Sequence, residues 1–62
     1  MDELIFLVEE APEGGYTARA LGVSIFTEAD TISNLQEQIR DAVHVHYDEA
    51  ARPKIVRLRG AD

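Results

Sequence analysis

His44 and His46 are the only imidazoles in the chain, and their H-x-H spacing raises metal binding first. On a helix, residues two apart sit about 200° apart around the axis, so this pair cannot chelate one ion. His46 falls in the apolar stripe of the helix expected here and reads as a packed or hydrogen-bonded core histidine. His44 falls on the outer face with Glu37, Asp41 and Asp48, at helical spacings of three to four. Such a set has the chemistry of a weak divalent or proton-sensitive site. It also reads as a solvated acidic face, or as a ridge that meets a basic partner protein. The solvated face is the expectation, with no metal and no cofactor assigned.

Nucleophilic catalysis has little material. Ser24, Ser33, Thr17, Thr27 and Thr31 are the hydroxyls, and none has a nucleophile-elbow setting or an evident base beside it. Acid pairs such as Glu9-Glu10 and Asp48-Glu49 are neighbours on turns or helix ends, where so small a chain cannot desolvate one enough to raise its pKa. Glu13-Gly14-Gly15 lacks the lysine and following helix of a phosphate loop. The expectation is a protein that is not an enzyme.

The elements that would carry these residues follow from periodicity. Leu4 to Val8 is apolar at every position, which suits a central strand buried on both faces. Glu9 to Gly15 is a hairpin connection, with proline fixing φ and Gly14-Gly15 permitting positive φ. Tyr16 to Leu21 alternates as a second strand, Gly22 marks a turn, and Val23 to Glu28 is a third strand. Val23 and Ile25 compete with Phe26 for its inward side. Asp30, Thr31 and the Ser33–Gln36 capping box all lie near a helix start, without deciding the cap. Ile32, Leu35, Ile39, Ala42, Val43, His46 and Ala50 share one arc at ~100° per residue. They predict an amphipathic helix of about five turns, ended by Arg52-Pro53. Lys54 to Arg59 alternates again as a fourth strand.

The order is β-β-β-α-β, an α+β single domain over residues 1–62. A right-handed crossover puts the fourth strand parallel to the first and beside it, giving a four-stranded mixed sheet of order 3-2-1-4 with one helix on one face. Leu4, Phe6, Val8, Ala18, Ala20, Val56 and Leu58 are expected beneath the helix. The opposite face then shows Ile5, Leu7, Thr17, Arg19, Leu21, Ile55, Arg57 and Arg59. It reads as an association surface, or as a wet mixed face whose arginines pair with Glu3 or Glu9.

Size supports the first reading. Apolar burial in a chain of 6.9 kDa contributes ~90 kcal/mol, and ordering its residues costs about as much. With no cysteine for a disulfide, a homo-oligomer or a partner is the remaining support. The longest apolar run is far too short to span a bilayer and has no basic region before it, so a cytoplasmic protein away from membranes is expected. A net charge of −6 argues against direct DNA binding, which needs cations to displace counterions. The charge is also uneven: residues 1–51 hold eleven acids and two bases, whereas 52–62 hold four bases and one acid.

Gly14-Gly15-Tyr16-Thr17-Ala18, then Leu21-Gly22, then Thr27-Glu28-Ala29-Asp30-Thr31 leading to Leu35, in this element order, resembles the HicB antitoxin family over roughly residues 3–59. The matching positions are structural: Gly15, Tyr16, Gly22, Asp30, Thr31 and Leu35. Ala20 stands where the family usually has proline, Ala29 where it has glycine, and the stretch from Gly22 to Asp30 is about two residues longer. The family's usual DNA-binding domain has no counterpart before Asp62, so operator binding is not carried over. The resemblance implies a partial ribonuclease-H-like fold without ribonuclease activity. It also implies a cytoplasmic, oligomer-forming interaction module that masks a small basic RNA-cleaving toxin. The alternative is a self-assembling accessory or small-ligand-binding domain with no toxin partner.

Overall fold

Strand β1 (Glu3–Glu10) contains the all-apolar run at its centre. In a computed structural model describing residues 2–60, it is followed by β2 (Tyr16–Ala20), β3 (Phe26–Ala29), helix α1 (Ile32–His46) and β4 (Ile55–Gly60). The sheet order is β3-β2-β1-β4, as the crossover argument requires. β1 is antiparallel to β2 and parallel to β4, and β2 is antiparallel to β3. Parallel neighbours cannot be joined by a tight turn; α1 and the segment after it make the return.

The β1–β2 turn depends on glycine. Gly14 and Gly15 adopt φ of 103° and 83°, a region that side chains with a Cβ enter only with strain. The Ala11 amide donates to the Gly15 carbonyl at 3.0 Å and the Gly14 amide to the Ala11 carbonyl at 3.0 Å. Gly15 carries a second constraint, because a Cβ there would lie 2.8 Å from the Ala29 carbonyl oxygen. The same glycine therefore closes the hairpin and lets the end of β3 approach it.

Register fixes which side chains share a face. Phe6 lies opposite Ala20 on β2 and Leu58 on β4, Val8 opposite Ala18, and Leu4 opposite Val56. Leu4, Phe6, Ala18, Ala20 and Ile25 are buried with Leu35, Ile39 and Val43 of α1 in one apolar cluster. The two alanines leave room for the helix at ordinary packing distance. Thr31 is the helix cap: its backbone is extended and its Oγ1 accepts from the Asn34 amide at 3.1 Å.

Four expectations need correction. First, α1 stops at His46 instead of running to Ala50 and the Arg52-Pro53 step. Tyr47 turns extended (φ −117°, ψ 141°), its amide still donating to Val43, and it packs against the core. The final turn is rich in β-branched, His and Tyr residues, which are weak helix formers, and Asp48-Glu49 would oppose the helix dipole. Second, His46 is exposed, with its ring edge-on to Tyr47 at 4.8 Å; Tyr47 occupies the inward place assigned to it. Third, β3 begins at Phe26, after Ile25 has turned inward to the core. The register with β2 settles this, since the Ala20 amide donates to Ile25 and Arg19 lies opposite Phe26. Fourth, Val56 and Leu58 are on the helix side but remain exposed, because α1 lies over β3 and β2 and its backbone does not approach β4.

Candidate functional site

The face of the sheet away from α1 has no layer over it among the described residues. Its grid follows from the pairings: Arg59, Leu7, Arg19 and Phe26 form one row across the four strands. Arg57 and Ile5 form the next, where the Leu21 amide donates to the Ile5 carbonyl at 2.9 Å. Glu3 and Ile55 close one end, and Glu9, Thr17 and Glu28 the other. The interface residues expected from sequence (Ile5, Leu7, Arg19, Leu21, Ile55, Arg57 and Arg59) therefore sit together. Leu21 lies just past the end of β2 and is exposed.

Sequence reading missed the largest apolar group on this face. Phe26 is 64% exposed, an unusual state for a large aromatic side chain. Alternation could not find it, because Val23, Ile25 and Phe26 include apolar residues of both parities. Three of the chain's six Lys and Arg residues are on this face, interleaved with three glutamates. It is thus charge-balanced, although the chain as a whole carries −6. Arg57 donates through Nε to Glu3. The pair is solvent-exposed, and exposed ion pairs contribute only ~0–1 kcal/mol. It orders the face without replacing a missing layer.

β4 adds an open edge. Among the described strands it pairs with β1 alone, and it is exposed along all six residues. The accessible surface of the chain is 4501 Å², against about 4,000 Å² expected for a folded monomer of this mass.

The acidic helix face does not assemble as a site. Glu37, Asp41 and His44 are exposed on α1, but Asp48 lies beyond the helix end. Asp41 borders a depression on the β3 flank, whereas His44 borders a groove on the β4 flank. Among the described residues no group of three His, Cys, Asp or Glu could hold a metal ion. Nor, among them, is any helix long and apolar enough to cross a membrane.

No family model matches the chain, and no solved structure matches it. Two relatives do. A UPF0150 protein of Archaeoglobus fulgidus is 54% identical over 55 residues, covering 89% of this chain and 82% of the relative. A UPF0150 protein of Thermotoga maritima is 46% identical over 57 residues, covering 92% and 80%. Identity at this level over about nine-tenths of this chain and four-fifths of each relative shows that the chain belongs to the UPF0150 family.

Proposed function

We propose that this chain is a HicB-like protein-interaction module, the antitoxin half of a toxin–antitoxin pair, which masks a small basic RNA-cleaving toxin. The observation that supports an interaction role is the open sheet face, where Ile5, Leu7, Phe26 and Ile55 stand uncovered beside the bare edge of β4. Apolar side chains interleaved with charges on an unlayered sheet face have the mixed chemistry of an association surface. The toxin enters through the sequence resemblance and through charge, since a net −6 attracts a basic protein and speeds encounter. The action is steric and electrostatic blocking, carried out in the cytoplasm, with no nuclease chemistry of its own.

The test is co-expression with any small basic protein encoded beside this chain. A stable complex that suppresses RNA cleavage, and loses suppression with Phe26→Asp, supports the reading. A neighbouring toxin that remains lethal beside this protein, or a chain that cleaves RNA alone, defeats it.

The charge balance of the open face favours a second reading, in which another copy of the chain covers it. Three arginines and three glutamates interleaved on one surface can be satisfied by the same surface turned upon itself. Sedimentation separates the two: a homo-oligomer dispersed by Leu7→Asp or Ile55→Asp supports self-assembly, and a monomer at all concentrations removes it.

A further inference from the structure

Because α1 covers β3 and β2 only, the helix side of β4 forms one wall of a groove whose other wall is α1. Ile39 and Val43 of the helix face Val56 and Leu58 of the strand across it, with buried Pro53 at its end. Arg40 and Arg52 border it, and Gln36 and His44 are its remaining polar lining. Its volume is about 370 Å³, within the range of small-molecule sites.

Two features set this groove apart from the rest of the surface. No carboxylate lines it, although the chain has twelve Asp and Glu against six Lys and Arg. In addition, the Nε of Arg52 is shielded from solvent with no hydrogen-bond acceptor, and among the described residues neither arginine has an ion-pair partner. Two guanidinium groups without carboxylate partners beside an apolar groove favour an anionic ligand, and a carboxylate is the partner whose geometry the guanidinium fork matches.

We propose that the groove between α1 and β4 binds a small apolar carboxylic acid. The hydrocarbon body lies on Ile39, Val43, Val56 and Leu58, and the carboxylate meets Arg52 and Arg40. The site is separate from the open sheet face and does not depend on the antitoxin reading. A basic toxin would be repelled from it, so the two binding events use different surfaces.

The test is an amide NMR titration of the full chain with octanoate, octanol and acetate. Octanoate is expected to shift resonances of α1 and β4 around the groove saturably. Octanol, which keeps the tail and loses the charge, binds about tenfold more weakly, as loss of a charge-assisted hydrogen bond dictates. Acetate leaves the resonances in place at the same concentrations. Arg52→Gln and Arg40→Gln each lower octanoate binding, the double substitution brings it down to the octanol level, and octanol binding is unchanged in all three. Equal binding of octanoate and octanol in the unaltered protein would overturn the proposal. So would shifts centred on Ile5, Leu7 and Phe26, or the absence of saturable shifts in the millimolar range.

Discussion

The chain has two phenylalanines, and they sit on opposite faces of the same sheet. Phe6 is fully buried, at 0% exposure, between α1 and the sheet, while Phe26 is 64% exposed on the bare side. β1 itself shows the same division, with Leu4 and Phe6 buried on one face and Ile5 and Leu7 only half-buried on the other. Apolar composition is therefore a poor guide to which face folding uses. The helix-side layer holds the fold, and the other face has no layer over it among the described residues.

Substitutions that separate the two layers make the contrast measurable. Phe6→Ala should cost about 3–5 kcal/mol, enough to leave so small a domain largely unfolded at 25 °C by circular dichroism. A cooperative urea transition near the original midpoint would show that the helix-side layer is not what holds the fold. Gly15→Ala acts on both faces, because it disturbs the turn that sets their common register. A positive φ of 83° and the close Ala29 carbonyl should cost about 2 kcal/mol, read as a lowered urea midpoint. Thr31→Ala removes the cap of the helix that makes one face different from the other, and should cost about 1 kcal/mol. Phe26→Ser should change the stability of the isolated chain by less than about 1 kcal/mol. Its effect should appear in association, as a complex that dissociates more readily. If Phe26→Ser destabilised the isolated chain as much as Phe6→Ala, the two faces would not differ in the way described.

The exposed pair between Glu3 and Arg57 sharpens the comparison from the polar side. Glu3→Gln should move the thermal midpoint of the isolated chain hardly at all, in keeping with a contribution of ~0–1 kcal/mol. In a complex that buries the open face, the same substitution would leave Arg57 without its partner. It should then weaken binding more than it weakens folding.

Legibility from sequence varied by element for physical reasons. β1 was readable because five consecutive apolar residues suit a central strand, and from it the sheet order followed by the crossover rule. The neighbourhood of the helix start was readable, but Asp30, Thr31 and Ser33 all have capping chemistry. Only the observed bond from the Asn34 amide to Thr31 chooses among them. The helix end was not readable, because His46 and Tyr47 both have an amphipathic side chain and only packing against the core decides which turns inward. The seven interface residues could be placed on one face by alternation alone. Phe26, with apolar neighbours on both sides of its strand, could not. In the acidic set Glu37, Asp41 and His44 lie exposed on α1 as helical spacing predicts, and only Asp48 falls outside it because the helix stops at His46.

By itself the sequence determined what is local: four strands, one capped amphipathic helix, a glycine hairpin, and a parallel return that places β4 beside β1. Those follow from side-chain periodicity and backbone sterics within a few residues. Where the helix lies was decided only by the tertiary structure. A helix about 10 Å across cannot cover four strands spaced about 4.8 Å apart. It settles where Ala18 and Ala20 let it come close and where Leu35, Ile39 and Val43 meet Leu4, Phe6 and Ile25. That choice leaves Val56 and Leu58 as the wall of a groove, while the β2–β3 register turns Phe26 to the opposite, bare side. Neither is written in the periodicity of β3 or β4: burial on β4 depends on how far a distant helix can reach, and the side Phe26 takes depends on its register with β2.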